Sequence, residues 1–228
     1  MIDREIQYFD DPFRHAVIDN FFSEEDLVFV TNKLDKIQED KDTNGFKFDP
    51  LRVRKRRLVK DLHNYQINPD ERFAKYFQFV DTLDIKQDKE KIYTSEYTYS
   101  FRVKGVDRGF PVHTENIHKG VSLLVYLSEE ENYGTLLYDE EKQFKKSIGW
   151  KNNRAFVMSG FYNQEGKLPG NSTWHTYKTK PGTLRRTFFG HTTVTKESLL
   201  AHSLYKGYYE KGEKGNTFFY GSQWNNKQ

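Results

Sequence analysis

The sequence of 228 residues contains no cysteine. This absence excludes disulfide bonds, thiolate zinc sites, iron–sulfur clusters and cysteine nucleophiles. Any metal that the chain binds must therefore be held by imidazole nitrogens and by oxygen ligands.

A large excess of charge of one sign is also missing, because 36 basic and 33 acidic residues leave a net charge of only +3. Such a balance is not that of a dedicated nucleic-acid binder, so nucleic acid is a possible partner that we do not favour. Charged residues make up 30% and aromatic residues 16% of the chain, which is the composition of a folded protein rather than a disordered one.

Long apolar runs are absent as well. No run approaches the length that spans a membrane, and the first five residues do not have the apolar core of a signal peptide. We therefore expect a cytoplasmic protein without a membrane partner.

The length is that of one domain large enough to bury most of its unfolded surface. We expect a single domain over residues 1–228, with helical support over about 10–90, a barrel core over about 92–194 and a cover over 195–228. Ser23-x-x-Asp26 predicts the start of one amphipathic helix, and Asn68-Pro69 predicts the start of a second. Polar residues 39–45 predict a loop after the first helix.

Short strands are predicted through the second half of the chain, where apolar residues alternate with polar ones or form short runs between turns. The predicted strands are 92–103, 120–128, 134–138, 154–158, 172–178 and 183–189. Two early helices followed by many short strands predict an α+β, mainly β fold. The architecture expected is a double-stranded β-helix, which is a jelly-roll or cupin-like barrel with the helices packed outside.

The densest basic patch runs from Arg52 to Lys60. It is interpreted either as a contact for phosphate or an acidic substrate, or as a strand with one solvated cationic face. The second interpretation is the favoured one.

Three residues form a candidate metal site. His113 and Glu115 are two positions apart, so their side chains leave the same face of an extended segment, and His175 lies further along at the start of another predicted strand. Two imidazoles and one carboxylate can hold a ferrous ion on one face and leave positions open. The other five histidines are interpreted as structural, with His118 and His191 as spares near the site; these five are His15, His63, His118, His191 and His202.

A candidate anion clamp follows His175 by ten residues, across the turn at Pro181-Gly182. Arg185 can bind the far carboxylate of a dicarboxylic cosubstrate, because a buried guanidinium needs an anionic partner. Arg186 points to the opposite face by strand alternation, and Arg185 is favoured over it. Tyr126, at the end of an apolar strand, is a candidate second donor to the same carboxylate.

These residues resemble the motifs of the iron(II)- and 2-oxoglutarate-dependent dioxygenases, above all of their prolyl-4-hydroxylase-like branch. That branch has a His-x-Asp/Glu motif, a strand ending in Tyr-Leu-Asn, a Gly-Gly-x-Leu turn, a distal His and a basic residue about ten positions later. The matching segments are His113-Thr114-Glu115, Tyr126-Leu127-Ser128, Tyr133-Gly134-Thr135-Leu136, His175 and Arg185-Arg186-Thr187-Phe188. Glu115 stands where the family more often has Asp, and Tyr133 replaces the first glycine.

The resemblance implies that His113, Glu115 and His175 bind Fe(II), and that Arg185 and Tyr126 bind 2-oxoglutarate. The implied reaction uses O2 to hydroxylate a C–H bond and decarboxylates 2-oxoglutarate to succinate. An anionic Glu115 ligand favours a hydroxylase over a halogenase, since halogenases of this family lack the carboxylate. The expected substrate is a prolyl or other amino-acid residue in a peptide or protein; a free amino acid or another small metabolite comes next.

Three other hypotheses remain open from the sequence. One is a non-catalytic cupin-like binding module, which has no need of Arg185. Another is a zinc hydrolase with the same three ligands, although no general base is evident near His113. A third is an oxygenase that binds nucleic acid through the Arg52–Lys60 patch. Tyr99, Arg102 and Trp174 are candidate substrate contacts near the expected mouth of the barrel, although a packing role is the favoured interpretation of each.

Overall fold

The computed structural model describes residues 4–43, 71–86, 93–104, 111–115, 119–129, 132–160 and 173–195. The Arg52–Lys60 patch, the predicted helix start at Asn68-Pro69 and the predicted cover beyond Thr195 lie outside these residues.

The described strands form two antiparallel sheets. In chain order they are β1 (Ile6–Phe9), β2 (His15–Ile18), β3 (Thr94–Lys104), β4 (Lys119–Tyr126), β5 (Thr135–Tyr138), β6 (Phe144–Ile148), β7 (Arg154–Ser159), β8 (His175–Tyr177) and β9 (Arg185–Val194). The larger sheet has the order β1-β2-β7-β4-β9-β3, and the smaller has the order β6-β5-β8.

The chain alternates between the two sheets as it advances. From β3 in the larger sheet it reaches His113, which forms an isolated bridge to His175 of β8 in the smaller sheet, and it then returns to the larger sheet as β4. It next enters β5 and β6 of the smaller sheet, returns to β7, crosses to β8 and ends in β9 of the larger sheet. This winding is that of a double-stranded β-helix, so the predicted fold class is confirmed.

Two helices lie in the described part of the chain, α1 (Glu24–Thr43) and α2 (Glu71–Asp81). Ser23 caps α1 as predicted, since its Oγ accepts from the backbone N–H of Asp26 at 3.2 Å. The predicted loop beginning at residue 39 is wrong in its first part, because α1 continues to Thr43. Within the described ranges, neither helix is both long and apolar enough to cross a membrane.

The helices cover one face of the larger sheet. On that face Phe188 of β9 packs against Phe73 of α2, with ring centroids 5.0 Å apart, and against Phe22 and Tyr99 at 5.3 Å. Tyr99 is 4% exposed within this core, so its favoured interpretation as a packing residue is confirmed and its expected place near the mouth of the barrel is wrong. Burial of each large apolar side chain here stabilises the fold by about 1.5–3 kcal/mol.

A second, smaller core fills one part of the space between the sheets. It contains Phe13, Val17, Tyr126, Leu137, Ile148, Phe156 and Met158. At its border Gly134 touches the next strand so closely that an added Cβ would lie 1.5 Å from the carbonyl oxygen of Ile148. Only glycine permits this approach, which packs the backbone of the Tyr133–Thr135 segment directly against β6.

Candidate metal centre

A local β-bridge brings the two candidate histidines together. The backbone N–H of His113 donates to the carbonyl of His175 at 3.0 Å, and the N–H of His175 donates to the carbonyl of His113 at 2.8 Å. His175 is at the same time paired with Leu137 in the smaller sheet. Residues that are 62 positions apart are thus fixed side by side by main-chain hydrogen bonds, and Glu115 follows on the same segment.

The three side chains converge. One potential ligand atom from each of His113, Glu115 and His175 lies within 4.8 Å of the others. The two imidazole centroids are 4.3 Å apart, and Nε2 of His175 is 3.7 Å from Oε1 of Glu115. The spacing is suited to one ion between two nitrogens and an oxygen.

Backbone carbonyls orient both imidazoles. Nδ1 of His113 donates to the carbonyl of Pro111 at 2.9 Å, and Nδ1 of His175 donates to the carbonyl of Thr173 at 2.8 Å. Because a carbonyl only accepts, each Nδ1 carries the proton and each Nε2 presents a lone pair. Metal-binding histidines are commonly held by this kind of outer hydrogen bond.

The pKa shifts of the three side chains give each of them the protonation state that a metal ligand needs. Burial alone would raise the pKa of Glu115, but the Lys119 ammonium, ahead of the neighbouring histidines, holds it well below its usual range. Burial, with a smaller effect from His175, lowers the pKa of His113 to about 3, and burial also lowers the pKa of His175. At neutral pH the site therefore holds one carboxylate and two neutral imidazoles, as metal binding requires.

Arg185 lies in the same barrel and is almost completely buried, with 2% of its surface exposed. Its Nη1 donates to the carbonyl of Tyr133 at 2.5 Å, while within the described residues its Nη2 has no hydrogen-bond partner. Burial lowers the pKa of Arg185, but a guanidinium stays protonated at neutral pH. A buried cation with an unpaired donor is suited to an anion.

Aromatic rings surround this guanidinium. Its central carbon is 4.7 Å from the ring centroid of Tyr177, 5.0 Å from that of Trp150 and 5.4 Å from that of Tyr126. We call these three rings the aromatic cage. Sequence reasoning missed Tyr177 and Trp150; the signal available was that Tyr177 has the same strand parity as His175.

Tyr126 belongs to this cage rather than standing apart from it. Its hydroxyl donates to Oγ1 of Thr135 at 2.7 Å and accepts from the backbone N–H of Thr135 at 3.0 Å. The hydroxyl thus lies beside the Arg185 pocket but is held by Thr135.

Arg186 points the other way. Its Nη2 is 2.5 Å from Oδ1 of Asp35 and donates to the carbonyl of Thr31 at 3.1 Å, both on α1. The structure therefore separates the two arginines, with Arg185 in the barrel and Arg186 against the helix.

The remaining predicted residues have varied places. Arg102 lies with its guanidinium 4.1 Å from the ring centroid of Phe189, and Trp174 lies under Lys142 at 4.3 Å. His191 is on β9 opposite Ser122, and His15 is in the smaller core between Phe9 and Phe156. The structure does not describe His63, His118 or His202.

No protein-family model and no curated protein sequence matches the chain significantly. Solved structures do match it. A prolyl-4-hydroxylase from Pseudomonas putida is 12% identical with a TM-score of 0.47, over 78% of this chain and 87% of that one. A viral collagen prolyl hydroxylase from Paramecium Bursaria Chlorella virus-1, solved as a 2OG complex, is 13% identical with a TM-score of 0.44, over 82% and 98%.

A 2OG-Fe(II) oxygenase family protein from Burkholderia pseudomallei also matches, with 11% identity and a TM-score of 0.36, over 56% of this chain and 54% of that one. These similar structures are named as prolyl hydroxylases and as a 2OG-Fe(II) oxygenase family protein. The likeness is one of fold, and the chemistry of this chain follows from its own residues.

Proposed function

We propose that this protein is an Fe(II)- and 2-oxoglutarate-dependent oxygenase that hydroxylates a C–H bond. In this proposal His113, Glu115 and His175 bind the metal, Arg185 binds the cosubstrate carboxylate through Nη2, and Tyr126 lines the same cosubstrate pocket with its ring. The substrate we propose is a prolyl or other amino-acid residue in a peptide or protein, with a free amino acid as the alternative.

The observation that carries the proposal is the unpaired donor on buried Arg185, in the same barrel as a two-imidazole, one-carboxylate donor set. A donor set of two imidazoles and one carboxylate with open positions is typical of non-haem iron oxygenases. A cupin-like binding module has no use for the buried cation, whereas a keto diacid has a second carboxylate to place on it.

Both groups fit the residues that are present. The two Nε2 atoms and one Glu115 oxygen are the ligands that Fe(II) accepts, and the Arg185 Nη2 donor fits a carboxylate. When bound, iron(II), 2-oxoglutarate and O2 would supply the chemistry, which is hydroxylation of a C–H bond with release of carbon dioxide and succinate.

The chain's own residues bind, orient and shield. The Pro111 and Thr173 carbonyls keep each Nε2 lone pair directed into the site. Arg185 fixes the far end of the cosubstrate by charge. The aromatic cage excludes water around that ion pair, which strengthens it because the local dielectric is low.

An anaerobic titration tests the proposal. Addition of 2-oxoglutarate to the Fe(II)-loaded protein should produce the visible charge-transfer band of a keto acid chelated to Fe(II). The His175→Ala variant should lose both the band and succinate formation, provided that circular dichroism shows it folded. A wild-type protein without the band, or a folded variant with wild-type turnover, would exclude the proposed site.

The substrate class needs its own screen. Proline-rich peptides, other peptides and free amino acids are compared by the 2-oxoglutarate turnover that each elicits above the uncoupled rate. A peptide that stimulates turnover and gains the mass of one oxygen supports the favoured class. Stimulation by free amino acids alone would replace it with the alternative.

A further inference from the structure

The two carboxylate oxygens of Glu115 have different neighbours. The Lys119 ammonium donates to Oε2 of Glu115 in a very short contact. The other oxygen, Oε1, lies 3.7 Å from Nε2 of His175 and belongs to the candidate ligand set. One oxygen of this carboxylate is therefore engaged by a lysine, and the other faces the place for the metal.

Lys119 is itself held in place from two sides. Its Nζ lies 4.9 Å from the ring centroid of Phe189 on β9, at a distance typical of a cation–π contact. Its side chain is only 18% exposed and that of Glu115 only 3%. Lys119 also begins β4, where its backbone is paired with Thr193 of β9. Water competes poorly for an ion pair at this depth.

Glu115 needs more support to hold its orientation than a shorter carboxylate ligand would need. A glutamate has one more rotatable bond than an aspartate and loses more side-chain entropy when it is fixed. A carboxylate can also bind a metal through one oxygen or through both. Binding through both oxygens would fill a coordination position that the keto acid or O2 needs.

We propose that Lys119 is a positioning residue that occupies Oε2 of Glu115, so that the carboxylate meets the metal through Oε1 alone and a coordination position stays open. This inference rests on the proposed function. It predicts that loss of the lysine harms cosubstrate chelation and spares metal binding.

The test compares Lys119→Met and Lys119→Arg with the wild type and with Lys151→Met. The last is a matched control, because Lys151 also forms a lysine–carboxylate pair, at 2.8 Å with Asp19, but away from the site. Two affinities are measured without turnover. The Fe(II) dissociation constant is taken from anaerobic competition with a fluorescent chelator, and the 2-oxoglutarate constant from the charge-transfer band.

For Lys119→Met we expect the 2-oxoglutarate dissociation constant to rise by about tenfold or more, as for other residues that orient metal ligands. Its Fe(II) dissociation constant should stay at the wild-type value or become tighter. Lys119→Arg should restore 2-oxoglutarate binding, since a guanidinium can donate to the same oxygen, and Lys151→Met should match the wild type.

Three results would overturn the inference: unchanged 2-oxoglutarate affinity in Lys119→Met, an equal loss of Fe(II) affinity in that variant, or no restoration by Lys119→Arg. If Lys119→Met does not fold, the conservative Lys119→Arg variant decides, because wild-type affinity for both ligands supports the inference and selective loss of metal affinity contradicts it. A wild-type protein that forms no band refutes the proposed function itself, which is a separate outcome.

Discussion

Arg185 and Arg186 are adjacent in sequence and have opposite environments. Strand alternation sends one side chain into the barrel and the other to the helical layer. Arg185 ends among aromatic rings with an unpaired Nη2, and Arg186 ends on Asp35 and Thr31 of α1. Substitution of Arg186 is therefore a matched control for substitution of Arg185 in any test of cosubstrate binding.

Replacement of Arg185 by Ala should weaken 2-oxoglutarate binding by about 2 kcal/mol or more, roughly thirtyfold, because a buried carboxylate would lose its charged partner. The KM for 2-oxoglutarate, measured by succinate release, checks this. Arg186→Ala should leave that KM unchanged and only reduce stability, since its partners lie on α1. Equal effects of the two substitutions on KM would contradict the assignment.

His15 gives the protein a second testable property at this scale. It is fully buried, its Nδ1 donates to the carbonyl of Phe13 at 2.7 Å, and its Nε2 has no partner within the described residues. Burial is the main cause that lowers the pKa of His15 to about 4, and the charge of Lys146 lowers this pKa further. The hydrogen bond to Phe13 and the charges of Asp10 and Asp11 act in the opposite direction but are weaker than burial. The folded protein therefore holds this histidine neutral.

The stability of the fold should consequently fall as the pH falls below about 6.5. In that range the unfolded chain binds a proton at His15 that the folded chain does not, until the pH approaches about 4. Between pH 7 and pH 5 the loss from this residue is about 2 kcal/mol. Urea unfolding at both pH values should show a smaller loss in His15→Phe than in the wild type. An identical pH dependence in the two proteins would rule this origin out.

At the scale of secondary-structure elements, strands with a strong hydrophobic pattern can be predicted from the sequence, and strands with a weak pattern cannot. The alternation of β3 and β9 and the apolar run of β4 predict those strands from sequence alone. The strand β6 was missed because four of its five residues are polar or exposed, and β1 because its four residues bury little surface. Pairing with a neighbour, which leaves no mark on local sequence, makes these segments strands.

The candidate site was predictable in part for the same reason. The spacing of His113 and Glu115 and the parity of Arg185 are local signals, so sequence could nominate them. The bridge between His113 and His175 joins distant segments, and the contact of Lys119 with Glu115 depends on where β4 begins. Such contacts depend on tertiary pairing, which single-sequence patterns do not encode.

Gly134 provides a test of the turn that supports Arg185. Gly134→Ala should destabilise the fold by about 3 kcal/mol, because the new Cβ would collide with the backbone of Ile148. It should also weaken 2-oxoglutarate binding, since the Tyr133 carbonyl that holds Arg185 would move. Gly149→Ala is the control, as its Cβ would meet its nearest neighbour at 3.7 Å. Thermal unfolding that ranks the two variants equally would show that the close approach is not required.

At the scale of the whole molecule, the larger sheet lies between the residues that form the main core and the residues of the candidate site. One face carries the aromatic core beneath α1 and α2, and the other carries Arg185 and faces the smaller sheet, whose β8 holds His175 of the candidate metal centre. The apolar side chains of the two faces belong to two separate buried clusters. Changes in the core should therefore alter the free energy of unfolding without altering ligand affinity in the folded protein.

Phe77 of α2 tests this separation. Its ring stacks on Tyr97 at 4.5 Å, on the side of the sheet away from the site. Phe77→Leu should lower stability by about 1 kcal/mol and the Tm by about 2–4 °C. The 2-oxoglutarate KM, assayed below the transition, should equal that of the wild type. A raised KM at unchanged folded fraction would show that the two faces are coupled.

The central claim is that three distant side chains hold one ferrous ion beside a cationic anchor for a keto diacid. Anomalous diffraction at the iron edge, from anaerobic crystals containing Fe(II) and 2-oxoglutarate, tests it most directly. We predict one iron peak bound by Nε2 of His113, Nε2 of His175 and a Glu115 oxygen, with the distal carboxylate of 2-oxoglutarate on Nη2 of Arg185. An iron peak elsewhere, or a cosubstrate that does not reach Arg185, would contradict the account.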